Sequence, residues 1–411
     1  MLTAPCPEES RSGSDPEMRP TGQNSATPAI GPPRISPAQL IAGGAAFVLL
    51  TVGIIWYQFY RIQAGDQNPR WDQLRWGYLV VILLCLPVET VVSALRIWLV
   101  CRVLEPGVSL WTCIKAEWAN VAISVLTPSQ SGGGLGQIYM LSRSGASVGT
   151  ALTISLLSFL GTMTGLLCMG LYSLVVSGIG STGRLFATAI WSLTLISAAM
   201  ILAGIWPGLF RAALAGVSRV VWRLGGKRHP LHDWWPPDEA RTGPPAERMG
   251  RLTATLCDII YNYRDEVRRF VCQGKASFAW VCLLSLVFLF SRAFIPYLCL
   301  RFLGVQASTL GHILEVQTAL LFLLFFAPTP GGAGLAEGAS LSAMAEILPV
   351  GFAPYYTMLW RFSTVYLVAI AGFICLLNAL AQDARKGARH RPQLDLESQV
   401  GAVGSSDKPA N

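Results

Sequence analysis

The chain has 411 residues, of which 52% are hydrophobic and 13% charged, with a mean hydropathy of +0.47. Soluble domains carry about 25% charged residues, so the composition excludes an ordinary soluble enzyme and points to an integral membrane protein. The net charge of +8 matches the basic bias of cytoplasmic membrane loops and gives no ground for nucleic-acid binding.

Residues 1–37, rich in Pro, Ser, Gly and Thr, read as a disordered cytoplasmic tail. They are not a signal peptide, whose apolar core lies nearer the start. Apolar runs then predict spans at Leu40–Tyr60, Gly77–Cys101, Ala151–Val176, Leu185–Trp206, Ala276–Phe302 and Pro354–Leu380. Two further apolar segments are too short to cross and are interrupted. Trp111–Leu126 and Gln137–Ala146 flank a first break, PSQSGGGLGQ, with Pro128, Gly133, Gly134 and Gly136. Ile313–Phe326 and Leu335–Leu348 flank an echo, APTPGGAGLAEG, with Pro328, Pro330, Gly331, Gly332 and Gly334. Such dense prolines and glycines do not continue a helix. At membrane depth, broken backbone is tolerated only where protein or a watery cavity satisfies it. Two matching breaks in two halves of one chain point to a transport-type site.

The expected fold is therefore an all-α integral membrane protein with about six transmembrane helices and two re-entrant helical hairpins in an inverted-topology repeat. The N-terminal membrane half covers 38–206 with a hairpin at 111–146, and the C-terminal half covers 276–380 with a hairpin at 313–348. Between them, 207–275 reads as a basic cytoplasmic loop with amphipathic helices, carrying Arg211, Arg219, Arg223, Arg264, Arg268, Arg269 and Lys275. Residues 381–411, with Arg385, Lys386, Arg389 and Arg391, read as a disordered basic cytoplasmic tail. These basic clusters orient the chain in the cell (plasma or inner) membrane with both termini in the cytoplasm. They also put the first hairpin on the inner face and the second on the outer. Arg61, Arg70 and Arg75 then fall outside, against the rule.

Polar residues within the apolar segments are the site candidates. Glu89 and Arg96 share a helix face about 10 Å apart, too far for a simple direct pair. Arg96 and Arg361 lie near span ends, placed either to snorkel or to face a site. Arg292 lies mid-span, where a guanidinium must meet a partner or a cavity; the expectation is that it serves a substrate and that Arg292→Gln leaves stability intact. Glu117, Asn120, Gln137 and Glu337 line the breaks, either capping helix ends or meeting a substrate. Glu337 opens the helix after the second break, where a carboxylate suits the positive helix end. The glycines leave backbone amides at helix starts, an anion-binding arrangement. Six of ten cysteines (Cys85, Cys101, Cys168, Cys282, Cys299, Cys375) lie in apolar spans and no C-x-x-C occurs, so no disulfide framework, metal site or cofactor is expected. His229, His232 and Asp233 lie in a Pro-rich loop without a cysteine partner. No catalytic motif is found, and the chain is expected not to be an enzyme.

The first break, PSQSGGGLGQIYMLSRSG before an apolar span, resembles the flippase-like transmembrane domain of the lysylphosphatidylglycerol synthase family. APTPGGAGLAEG and the later WRFSTVYL resemble that family's second signature. The residues carrying the likeness are Asn120, Pro128, the glycines, Gln137, Tyr139, Arg143, Pro328, Glu337 and Arg361, within about 40–380. Some family members add a cytosolic aminoacyl-transfer domain; here about thirty residues follow the last span, so lipid aminoacylation is not carried over. The resemblance implies translocation or handling of a polar-headed lipid. The expected function is flipping of an anionic or isoprenoid-phosphate lipid, with the headgroup drawn by Arg96, Arg292, Arg361 and the glycine amides. Glu89, Glu117 or Glu337 would couple an ion. The alternatives are a membrane subunit presenting lipid to a separate synthase or glycosyltransferase, and a transporter of a small soluble solute.

Overall fold

The computed structural model describes residues 37–62, 69, 71–127, 130, 132–177, 187, 190–192, 194–199, 263, 265–305, 310–325, 327, 329–345 and 347–404. These residues form helices and no strand. The helices are α1 (Pro37–Ile62), α2 (Trp76–Leu104), α3 (Leu110–Ser124), α4 (Gly133–Arg143) and α5 (Val148–Ser177), then α6 (Lys275–Phe302), α7 (Leu310–Phe325), α8 (Leu335–Ala343), α9 (Ala353–Arg361) and α10 (Leu367–Gly404). A π-helical turn, Phe362–Tyr366, joins α9 to α10.

Among the described residues, five segments are long and apolar enough to cross a membrane: Ile41–Tyr60, Trp76–Leu104, Val148–Val175, Lys275–Phe302 and Ala353–Arg385. They correspond to five of the six expected spans. Of the expected span 185–206, only the neighbourhood of a short apolar helix, Ile190–Ala199, is described. The tail before residue 37 and all of 207–262, with His229, His232 and Asp233, lie outside the described residues. The last helix continues to Gly404, past the expected span end at Leu380.

Local signals set the boundaries. The Ser109 hydroxyl accepts the Thr112 amide at 3.2 Å and starts α3; Ser147 does the same for α5 through the Thr150 amide at 3.0 Å. Gly145 (φ 111°) follows α4 and Gly304 (φ 80°) follows α6, each left-handed where a helix terminates.

The core is a trio of α2, α5 and α6, each packed against the other two. Small residues bring α5 and α6 together: Gly161 faces Val281, and Gly165 faces Ser285 and Leu289. Without a hydrophobic force between helices in lipid, such Gly-x-x-x-Gly contacts are a main source of packing. The outer face of α2 shows Val80, Leu84, Val88 and Val91 exposed, a stripe at helical spacing suited to lipid.

Helix ends gather at two opposite ends of the bundle. At the first, Arg143 and Tyr139 of α4 bind Asp383 of α10 at 2.8 and 2.6 Å. There too, Thr150 donates to Glu266 at 3.2 Å and Arg269 reaches the Leu104 carbonyl at 3.5 Å. Burial pushes the Glu266 carboxyl above its usual range, with the Thr150 bond opposing. At the second, the Arg75 amide donates to the Phe302 carbonyl at 2.9 Å, while Trp76 meets Phe302 and Phe59 meets Tyr355 edge to face. The chain enters α3 directly after α2 at the first end, and α4 returns to it.

The last helix packs tightly on α3. A Cβ on Gly372 would run into the Trp118 backbone carbonyl, which cannot retreat without breaking α3. Gly372→Val should therefore destabilise the protein by about 1–3 kcal/mol, read as a lower thermal unfolding temperature in detergent. Gly44→Val, where a Cβ meets nothing within 4 Å, serves as the control and should change little.

Candidate functional site

Charge in an apolar helix bundle needs partners, and this bundle supplies them in three different ways. Arg292 of α6 donates from Nε to Glu89 Oε1 of α2 at 2.6 Å, and from Nη2 to the Thr364 carbonyl at 3.3 Å. Thr364 lies within the π turn, where the Leu367 amide reaches back five residues to the Phe362 carbonyl. Such turns interrupt the regular ladder and recur at functional sites.

The second pair joins α9 to α8. Arg361 donates from Nε to Glu337 Oε1 at 2.6 Å, and from Nη2 to the Gly332 carbonyl at 3.2 Å. The other Glu337 oxygen accepts the Gly334 amide at 2.6 Å, the carboxylate half of a capping box. Both side chains are 5% exposed. Arg361 thus does not snorkel; it is bonded inside the second break.

Arg96 differs from both. Its residue is 5% exposed, and it donates to Ser93 (2.7 Å), Thr162 (2.8 Å) and Ser285 (3.2 Å), all neutral hydroxyls. Thr162 and Ser285 give their own protons to carbonyls one turn back, Ser158 and Val281, leaving lone pairs for the guanidinium. No carboxylate lies within ion-pair distance of Arg96 among the described residues, and its Nε has no partner. Arg96 and Arg292 share the Phe288 ring, at 4.3 and 5.0 Å from its centroid. The seven-residue spacing correctly separates Glu89 from Arg96; the partner that claims Glu89 is Arg292. Since Arg292 is half of an ion pair, the expectation that its replacement leaves stability intact is revised. Removing it strands Glu89.

Around the first break, Asn120 donates to Glu117 at 3.4 Å, and Glu117 is buried without an ion pair among the described residues. Gln137 accepts the Ser155 hydroxyl at 3.0 Å, and its Nε2 has no partner.

The glycines serve packing and turn geometry. Gly133 and Gly136 lie within the first turns of α4 rather than in a loop. A Cβ at Gly133 would overlap Asn120 and Ser124, and one at Gly136 the Ala119 carbonyl; Gly134 faces Ser155. Gly331, Gly332 and Gly334 instead take φ of 59°, 69° and 82°, a region that side chains disfavour. The anion-binding expectation is weakened at three amides. Gly133 donates to Gln130, Gly332 to Thr329 and Gly334 to Glu337, because each break folds into consecutive turns that use its own donors. Pro128 and Pro328 lie outside the described residues. The two breaks touch: a Cβ on Gly331 would stand 3.3 Å from the Val125 backbone.

Several polar residues of this region escaped sequence reasoning. Ser155, Ser158 and Thr162 follow each other at three and four residues in an apolar span, a spacing that could have flagged one polar face. Phe288, Ser285 and Thr364 carried no such signal. No group of His, Cys, Asp and Glu suited to a metal ion occurs among the described residues.

A family model described as the lysylphosphatidylglycerol synthase TM region matches residues 41–372. The chain belongs to this family. The match encloses both breaks, both ion pairs and Arg96, and it makes this lysylphosphatidylglycerol synthase TM-region protein an integral membrane protein related to lipid handling. No curated protein and no solved structure matches the chain.

The ion pair of this family member gives a direct test. Arg292→Gln or Glu89→Gln alone should each destabilise the protein, on the scale of about 3–5 kcal/mol where the surviving charge is left buried. The double variant should recover a large part of that loss, as measured by thermal unfolding of the purified proteins. Additive losses would show that the two residues do not act as a pair.

Proposed function

We propose that this protein translocates a polar-headed lipid, anionic or isoprenoid-phosphate, between the two leaflets. The observation that carries this reading is Arg96. A guanidinium bonded to hydroxyls and to no carboxylate lies in the bundle interior, where it attracts an anion far more strongly than in water. The carboxylate-paired Arg292 and Arg361 are largely neutralised by comparison.

A polar column supports passage as well as binding. From Gln137 and Ser155 it runs along α5 to Thr162 and Arg96, about 10 Å at 1.5 Å per residue. From Arg96 it runs along α2 to Glu89 and Arg292, about another 10 Å. Together these steps cover two-thirds of a ~30 Å hydrocarbon core. At its far end, Arg292 bonds the π turn that directly follows Arg361 and so approaches the second break. A headgroup could follow this column while its acyl chains stay in the bilayer. The coupling ion, if one is used, would be taken by Glu89, whose Oε2 is unpartnered, or by Glu117.

The same reading includes the topology. The α3–α4 pair is a re-entrant hairpin opening at the end of the bundle that holds Asp383. The α7–α8 pair opens at the end that holds Phe302, and the two halves form an inverted repeat. In a cysteine-free background, Ser144→Cys should react with a membrane-impermeant thiol reagent only after cells are opened, and Ala345→Cys in intact cells. Labelling of both from one side would reject the inverted arrangement.

Purified protein in vesicles should suffice for transfer. Proteoliposomes are expected to move labelled anionic lipid between leaflets, and Arg96→Gln to slow them about tenfold or more, the loss of charge-assisted hydrogen bonds to the headgroup. Transfer that starts only when a lipid-modifying synthase or glycosyltransferase is added would favour a presenting subunit. Uptake of a water-soluble compound with lipids left in place would favour a solute carrier.

A further inference from the structure

The first helix is held to the bundle by very little. A 6% share of its most apolar stretch is buried, against 22% to 44% for the other four spans. Ile41, Leu49, Val52, Trp56 and Tyr60 stand exposed along one side of it. Phe47 is the exception, at 8% exposed. Its ring meets Tyr366 of the π turn edge to face, 5.8 Å between centroids, and clusters with Val125, just past α3, and Ala369 of α10. A Cβ on Gly331 would stand 3.1 Å from the same ring. One side chain thus touches both breaks and the π turn.

Gly43, Thr51, Ile54 and Gln58 continue the Phe47 face at helical spacing. A Cβ on Gly43 would lie 3.4 Å from the Leu126 Cβ, and one on Gly334 would lie 3.9 Å from Ile54. Thr51 and Tyr366 share a side-chain hydrogen bond. Gln58 Oε1 is buried with no partner among the described residues. Polar side chains within a span face the bundle interior or a cavity, so α1 turns this face to the breaks and its apolar side to lipid.

A lipid whose headgroup follows an interior column while its acyl chains stay in the bilayer needs a seam that parts. The other walls are closed by glycines: Gly161 and Gly165 set α5 on α6, and Gly372 sets α10 against the Trp118 carbonyl. The column ends at Arg292, which bonds the Thr364 carbonyl, two residues before Tyr366. Phe47 covers that turn from the lipid side. We infer, resting on the lipid-translocation reading above, that α1 is the movable wall of the path. The acyl chains pass along the seam between α1 and the two breaks, and Phe47 is the wedge that closes it. Parting this seam gives up one aromatic contact, one hydrogen bond and little buried surface. Parting any of the others separates helices in backbone contact.

The test locks the seam. Gly43→Cys with Leu126→Cys, in the cysteine-free full chain in proteoliposomes, joins positions whose Cβ atoms lie 3.4 Å apart, close to the ~3.8 Å typical of a disulfide. Oxidation should slow transfer of acyl-labelled anionic lipid about tenfold or more, as for any closure that gates turnover. A thiol reductant should restore the rate, which a folding defect would not allow. Either cysteine alone, treated in the same way, should keep its rate. Phe47→Ala should raise transfer about twofold or more while lowering the unfolding temperature, because it removes contacts made only in the closed state. A cross-linked protein that transfers lipid at the reduced protein's rate would overturn the movable wall and leave translocation standing. Transfer that falls together with stability in Phe47→Ala would overturn Phe47 as the wedge and make it packing alone. No transfer by the folded, unmodified protein would overturn the translocation reading itself.

Discussion

The structure depends on one constraint: a formal charge among apolar helices must be neutralised or fully bonded, and each solution ties helices together. An unassisted arginine at mid-membrane depth costs about 2.5–3.5 kcal/mol even on the lenient insertion scale. Glu89–Arg292 joins α2 to α6, Glu337–Arg361 joins α8 to α9, and Arg96 joins α2 to α5 and α6 through hydroxyls. The charged residues thus set which helices sit side by side and at what depth. A π turn stands between the pairs, and its Thr364 carbonyl is what Arg292 reaches.

The α9–π turn–α10 segment is the shared partner of both breaks. On one side of the π turn Arg361 grips Glu337 and Gly332 of the second break, and far along α10 Asp383 grips Tyr139 and Arg143 beyond the first. Between these grips, Gly372 brings α10 against the backbone of α3. A movement of this segment would act on both breaks together.

The two breaks look alike in sequence and differ in physics. The second needs glycine for left-handed backbone at Gly331, Gly332 and Gly334. The first needs it because α4 lies too close to α3 for any side chain at Gly133 or Gly136. The electrostatics diverge with them. The second break is locked by a complete ion pair, while the first presents Gln137 beside a hydroxyl row that leads to an arginine bonded to no carboxylate. The asymmetry leaves unpartnered polar atoms at Arg96 and Gln137 in the first half and a closed ion pair in the second.

The sequence by itself determined the membrane class, five of its six expected spans to within a few residues and the location of both breaks, because lipid imposes long apolar runs and helix-breaking residues punctuate them. It also marked Arg96, Arg292, Arg361, Glu89 and Glu337 as the residues to explain, since charge in such runs is conspicuous. It did not determine who pairs with whom. Glu89 and Arg292 stand 203 positions apart, and no local spacing records that they meet. Ser285 was equally silent, because an apolar span tolerates a serine bonded to its own helix, and the spacing of Ser155, Ser158 and Thr162 marks a face without saying what it meets. Only tertiary packing of α2, α5 and α6 turned Thr162 and Ser285 towards one guanidinium that no carboxylate bonds.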